Sequence, residues 1–378
     1  MNVHLSVFKK FSPDWVAFGA AATLSLLGLL TMNSFTGEDP YFLRQSVWVL
    51  LGVVVFFAAA ATDWRFLRRS SVVAAVFGAL LVPLVLLVLV GEVFQGARSW
   101  FDLGAFALQP VEFAKIGLIM VLAKYFSRRH IEIRNTRHIL VSGSYAFVVF
   151  VLVALQPDFG SAIIIALIWL GMVLCSGLSR IHLVAILAIG AACFAGLWLF
   201  GFQEYQKERI LTFLHPLADI HGAGYNAYQS TIAVGSGELL GKGVGYGTQS
   251  KLRFLPEYQT DFAFAAFAEE WGFVGVSLVF ALYGLLFWRI LHSAARGASN
   301  FETLFALGVL CYFVAHFVLH VGINVGLLPV TGTTIPFMSY GGSHLMAEFL
   351  ALGMLSGMRR YATTPRSAGA EWSGGYDR

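Results

Sequence analysis

Apolar runs long enough to cross a bilayer recur along almost the whole chain, and they constrain its architecture more than any other feature. A helix needs about 20 mainly apolar residues to span the hydrocarbon core. Runs near that length fall at 14–33, 45–62, 71–91, 109–126, 138–156, 158–177, 181–202, 262–288, 303–325 and 343–358. In lipid every backbone N–H and C=O must be satisfied within the spanning unit. These runs are therefore expected to be helices, and the fold class is all-α: a polytopic integral membrane protein with about ten transmembrane helices. Charge is sparse to match, at 12% of 378 residues against ~25% in a soluble domain.

The Lys and Arg residues set an orientation, because cytoplasmic loops collect them. With both termini cytoplasmic, 17 fall inside and 7 outside, and Lys115 lies within a span. Five of the outer seven (Lys207, Arg209, Lys242, Lys251 and Arg253) belong to one long extracytoplasmic loop, about 203–261, between the seventh and eighth helices. A single transmembrane domain over 1–362 is expected, followed by a disordered cytoplasmic tail, 363–378, rich in Ser, Gly and charge. The first run follows Lys9 and Lys10 as in a signal peptide, but its length favours a retained helix. Cys175, Cys193 and Cys311 lie inside apolar runs and have neither metal-ligand nor disulfide spacing. The basic residues are divided among short loops, so no nucleic-acid surface is expected.

Function is expected where polar residues crowd against the apolar helices, at 222–275. Its Gly-rich run, Gly235 to Gly247, fails as a nucleotide loop. A phosphate loop needs Gly five residues before Gly241-Lys242 and Ser or Thr after the lysine, where Ser236 and Gly243 stand. Two readings remain: a tightly turned surface loop, or a backbone-lined cradle for an anionic group with Lys242, Lys251 and Arg253 nearby. Asp261 follows the Pro256-Glu257 turn, just before an apolar run. It reads either as a helix N-cap or as a general base in a partly apolar site. Glu269 and Glu270 fall in the next span's first turns, and at least one should face a cavity or a basic partner.

Other polar residues stand inside or beside the spans. Glu112 and Lys115 are spaced to pair on one helix face, as a structural ion pair or a cavity wall. Arg98 lies on the outer side, where it could meet a phosphate, and Asp158 sits in a short outer turn after Pro157. Residues 324–343 carry no charge but many Gly, Pro, Thr and Ser, and read as a re-entrant lining of the outer pocket that includes Ser343. His316 and His320 share a helix face, where packing or helix–helix hydrogen bonding is a better reading than metal ligation.

Several blocks in order along the chain are similar to those of the SEDS family (shape, elongation, division and sporulation). They are Gly96-Ala-Arg-Ser-Trp100, Gln109-Pro-Val-Glu-Phe-Ala-Lys115, Gln156-Pro-Asp-Phe-Gly-Ser161, Tyr225-Asn-Ala-Tyr-Gln-Ser230 through Thr260-Asp-Phe262, and Leu328-Pro-Val-Thr-Gly332 through Ser339-Tyr-Gly-Gly-Ser343. The short N-terminus, the compact tail and Leu255-Pro256-Glu257 look more like the elongation branch than the division branch. The resemblance implies a peptidoglycan glycosyltransferase of the bacterial inner membrane, polymerising lipid II on the extracytoplasmic face, with Asp261 in the family's essential acidic position. It also implies a class B penicillin-binding protein as partner, beside other membrane proteins of the elongation complex. In that reading Asp261 is the base. Arg98, Lys242, Lys251 and Arg253 face phosphate, Glu257 and Ser343 line the substrate site, and Glu112, Lys115, Asp158, Glu269 and Glu270 shape the cavity. No certain cofactor follows; a divalent cation (Mg2+ or Mn2+) between Asp261 and pyrophosphate is compatible with the chemistry, and no metal-ligand set is defined. The alternatives are a flippase for the lipid-linked precursor and a structural scaffold.

Overall fold

The computed structural model describes residues 13–34, 41–91, 98–102, 104, 107–128, 136–202, 204–214, 224–252 and 254–362. The expected tail, 363–378, and Arg253 lie outside the described residues. Helices stand at each of the apolar runs: α1 (Trp15–Ser34), α2 (Tyr41–Ala61), α3 (Ser70–Val90), α4 (Pro110–Ser127), α5 (Thr136–Ala154), α6 (Phe159–Cys175) and α7 (Arg180–Phe200). In the 203–261 loop the chain forms α8 (Glu204–Leu214), α9 (Tyr225–Ser236) and α10 (Thr248–Lys251). It then continues through α11 (Ala263–Ala295), α12 (Asn300–Asn324) and α13 (Gly342–Ala362). A two-residue hairpin, Phe101–Asp102 against Ala107–Leu108, precedes α4. By length and composition, α1, α2, α3, α5, α7, α11 and α12 can each cross a membrane, while α6 is a shorter apolar helix. The chain is a multi-pass membrane protein.

Local sequence explains the helix boundaries. Pro110 opens α4, where its missing N–H is no loss. The Asp158 carboxylate accepts from Ser161 N at 3.0 Å and caps α6. At α12, Ser299 Oγ accepts from Glu302 N, and Glu302 Oε2 accepts from Ala298 N at 2.9 Å, a variant of the capping box. The eighth apolar run extends further than expected, to Ala295, and breaks at Gly272, where φ is +60°.

The bundle centres on α4, with 14 of its 18 residues buried, the pattern of a helix packed on all sides. Around it stand α3, α5, α6, α12 and α13; α2 lies along α13, and α11 packs between α1 and α12. Small residues set the close approaches: a Cβ on Gly353 of α13 would lie 2.6 Å from the Phe56 carbonyl of α2. Outward faces carry exposed Leu50, Val54, Leu89 and Phe147, as lipid contact requires. On α7 no residue is buried at all.

Candidate active site

Asp261 ends a tight turn that begins at Glu257 and leads into α11. External donors hold the carbonyls of this turn in succession. Tyr340 N donates to Gln259 O at 2.7 Å, Ser339 Oγ to Thr260 O at 2.8 Å and Asn324 Nδ2 to Asp261 O at 2.9 Å. The N-cap reading of Asp261 is corrected by the geometry. Phe262 is the N-cap residue of α11 and no side chain of its own caps the helix. Instead α12 supplies the partners: Asn324 Oδ1 accepts from Ala265 N at 2.9 Å, and His320 Nε2 from Phe264 N at 3.4 Å. The Asp261 carboxyl is therefore not consumed by the helix terminus. Burial pushes it up to about 7, with the negative charge of Glu257 adding to the effect and Arg209 opposing it.

Glycine lets the chain approach this carboxyl. Gly332 sits at φ +72°, and a Cβ there would lie 3.6 Å from Asp261 Oδ2. On the other side, a Cβ on Gly160 would come within 2.8 Å of Thr331 O, which seats the start of α6 against the same segment. Asp158 thus faces the Asp261 region, and its charge further raises the Asp261 proton affinity. Burial also pushes the Asp158 carboxyl up. Gln109 Nε2 donates to Asp158 Oδ2 at 3.3 Å, while the main-chain N–H of Gln109 donates to Ser343 Oγ at 2.9 Å. The Arg98 amide donates to Gln156 O at 3.1 Å and its side chain is exposed. Glu257 Oε2 accepts from Thr260 Oγ1 at 3.1 Å and Gln259 Nε2 at 3.3 Å. Arg98, Asp158, Glu257, Asp261 and Ser343 are brought together at one end of the bundle, the end where α6 and α11 begin.

The Gly-rich loop is a backbone cradle for anions, and protein carboxylates fill it. Glu269 receives Gln249 N at 3.1 Å, Thr248 Oγ1 at 3.1 Å and Lys242 Nζ at 2.7 Å. Glu270 Oε1 receives Gly245 N at 2.7 Å. Lys242 is thus held by a buried partner, which gives Glu269 the basic partner expected of one of these two carboxylates, and Glu269 and Glu270 both anchor the loop. Lys251 remains exposed, with Nζ 5.9 Å from the centre of the Tyr246 ring.

Deeper in the bundle lies a second polar group. Lys115 Nζ is 2.8 Å from Glu112 Oε1, and His344 stands between Glu112 (2.9 Å) and Glu348 (2.8 Å). The main-chain Phe337 N–H donates to Glu348 at 2.8 Å. His316 Nδ1 lies 3.2 Å from Thr334 O, which points Nε2 at Lys115 Nζ, 3.3 Å away. Donor atoms of Glu112, His316 and His344 lie within 4.8 Å of one another, close enough for a metal ion. The Lys115 ammonium already contacts two of the three, so this donor set is closed by an internal cation.

Sequence reasoning missed His344, Glu348 and Asn324. The signal was spacing: His344 and Glu348 are four apart, and Tyr312, His316, His320 and Asn324 recur every fourth residue along α12. The stripe runs from the Glu112 group, where Tyr312 OH lies 3.4 Å from Glu112 Oε2, to the Asp261 carbonyl.

The helices define a multi-pass membrane protein, and the turn at Asp261 leaves it a carboxyl free of helix capping at one end of the bundle. Sequence comparison places it more narrowly. Residues 8–364 match the profile of the cell cycle protein family of FtsW, RodA and SpoVE, and the chain belongs to that family. It is similar to stage V sporulation protein E of Bacillus subtilis, 35% identical over 94% of this chain and 99% of that one. It is also similar to peptidoglycan glycosyltransferase MrdB of Escherichia coli K12, at 36% over 92% and 95%. Among solved structures, rod shape determining protein RodA of Thermus thermophilus superposes with a TM-score of 0.71 at 29% identity, covering 94% of this chain and 99% of that one. A chain described under the structural coordination of polymerization and crosslinking by a peptidoglycan synthase complex gives 0.80 at 30%, with the same coverages.

Proposed function

We propose that this protein is a peptidoglycan glycosyltransferase of the bacterial cytoplasmic membrane that polymerises lipid II on its outer face during cell-wall elongation. The observation that carries the mechanism is the Asp261 carboxyl: pinned through its main chain, spared from helix capping, and held up to about 7. A base works best when its proton affinity lies near the working pH. Asp261 takes the proton of the acceptor sugar's 4-hydroxyl as that oxygen bonds to the donor's anomeric carbon. The bond from that carbon to the lipid pyrophosphate breaks, and the leaving group departs with the electron pair. A single displacement inverts the anomeric centre, which gives the β-linked strand.

Arg98 and Lys251, both exposed, and Arg209, whose charge reaches Asp261, supply the cations for the departing pyrophosphate. Lys242 leaves this set because Glu269 holds it. Among the described residues Asp261 belongs to no set of three side-chain donors spaced for a metal ion, so no step is assigned to Mg2+ or Mn2+. The similarity to a chain of a peptidoglycan synthase complex supports a class B penicillin-binding protein as partner, within a larger elongation assembly.

The test is polymerisation of purified lipid II in detergent by wild type and Asp261→Asn, each with the partner bound. Loss of product by about 10²–10⁴-fold in the variant is expected for removal of a general base. Equal product from both removes Asp261 from the chemistry. No product from either, with a competent partner, favours lipid transport, since detergent leaves no second leaflet to reach.

A further inference from the structure

Asn324 is fully buried in an apolar helix, yet every hydrogen-bonding atom of its side chain is committed. Its Oδ1 takes the Ala265 N–H at 2.9 Å, and its Nδ2 donates to Asp261 O at 2.9 Å and to His320 O at 2.8 Å. Its own carbonyl receives Ser230 Oγ of α9 at 2.9 Å. One residue therefore ties four parts together: its side-chain amide joins the catalytic turn, the first turn of α11 and α12, and its main-chain carbonyl adds α9. Ser339 does related work one residue earlier: its Oγ donates to Thr260 O at 2.8 Å and accepts from Ile335 N at 3.0 Å.

We infer that Asn324, with Ser339 beside it, is a positioning residue for the proposed glycosyl transfer, fixing the main chain of Asp261 so that its carboxyl is presented from a partly desolvated site. This rests on the assignment of Asp261 as base. Capping and catalysis are divided between residues here. A carboxylate that caps its own helix is stabilised in the charged form and spent as a base. In this protein the cap comes from another helix, so the acid stays near the helix start without serving it. The Asn324 amide does this at a single position, since it offers an acceptor to the α11 N–H and a donor to the Asp261 carbonyl. Small displacements of catalytic groups cost large factors in rate, and an unclamped turn would also let water reach the carboxyl.

Access of water to the carboxyl is what the experiment reads. The charged groups facing Asp261 are Glu257 on its own turn, Asp158 at the start of α6 and Arg209 of α8; Asn324 and Ser339 add none. Lipid II polymerisation is measured against pH for the full chain with its partner, as wild type, Asn324→Ala and Ser339→Ala. If the clamp is lost, the carboxyl relaxes toward water. The midpoint of the acid limb then moves down by about a unit or more from about 7, and the limiting rate falls by about tenfold. A variant that is merely less folded loses rate but keeps the wild-type midpoint, and that result in both variants overturns the inference. Ser339→Ala guards against an Asn324→Ala that fails to fold: a wild-type midpoint and rate in that variant would equally overturn the clamp. Asp261→Asn separates the two levels. If it keeps full activity with an unchanged acid limb, the base assignment falls; if it is inactive while the clamp variants keep the wild-type midpoint, only the positioning role falls.

Discussion

Lys242 Nζ lies 2.7 Å from Glu269 Oε1, and that contact ties the Gly-rich loop to the first turns of α11. The lysine side chain is 28% exposed and the glutamate is fully buried, so the two partners are unequal. Removing Lys242 strips the fully buried Glu269 carboxylate of its cation and leaves it the Thr248 and Gln249 donors, so Lys242→Met is expected to cost about 3 kcal/mol. Glu269→Ala frees a lysine that already reaches water and leaves neutral donors unpaired, and is expected to cost less, about 1–2 kcal/mol. Thermal unfolding of the two purified variants in detergent gives the comparison, and equal losses would contradict the asymmetry.

Asp261 sets the pH dependence of the proposed reaction. Its carboxyl is held up to about 7 and must be ionised to accept a proton. The rate is therefore low below that pH, rises through it and levels off above, with a fall of about tenfold per unit on the acid side. Initial rates across pH 5 to 9, on the order of a dozen points, would show the limb. A profile flat down to pH 4, roughly the ordinary carboxylate value, would show that the working group is not this carboxyl.

Gly241 adopts φ +78°, and a Cβ there would fall 2.0 Å from the Glu270 carbonyl oxygen. Both conformation and space reject a side chain. Gly241→Ala is expected to lose about 3 kcal/mol or more of stability, with the loop between α9 and α11 displaced. Limited proteolysis of that loop is the direct measurement. By contrast a Cβ added to Gly190 of α7 would meet nothing within 4 Å, and Gly190→Ala should be silent.

The Glu112–Lys115 pair is sealed inside the bundle, with both side chains almost fully buried. Lys115→Met leaves Glu112 facing His344 and Tyr312 without its ammonium, and is expected to cost about 3–5 kcal/mol. The double variant Glu112→Gln, Lys115→Met should lose less than Lys115→Met alone, because no buried charge is left unpaired. A double-mutant cycle on thermal stability measures the difference.

The helices were legible because lipid leaves a chain little choice: ten apolar runs predict ten long helices, and helices stand at each run. The Glu112–Lys115 contact was legible from spacing alone, since neighbours three apart share a helix face. Two kinds of information were not. The Gly-rich loop announces an anion site by composition, but only the fold reveals that Glu269 and Glu270 are the anions. Asn324 looks like one more residue at the end of an apolar run, and its importance lies in two partners about 60 positions away in sequence, Asp261 and Ala265. His344 was hidden the same way, by Glu112 on α4, and Glu348 by the main-chain N–H of Phe337 in the segment before α13.

No residue of α7 is buried, although its mean hydropathy reaches 2.4. Lipid tails are as apolar as leucine, so a helix without a protein face gains nothing from the bundle by the hydrophobic effect. What fixes α7 is where its two ends are moored, between the short turn after α6 and the start of α8. Such a helix behaves as a hawser and not as a stave: its lettering is free so long as it stays oily, and its berth is decided by the length of the lines at either end.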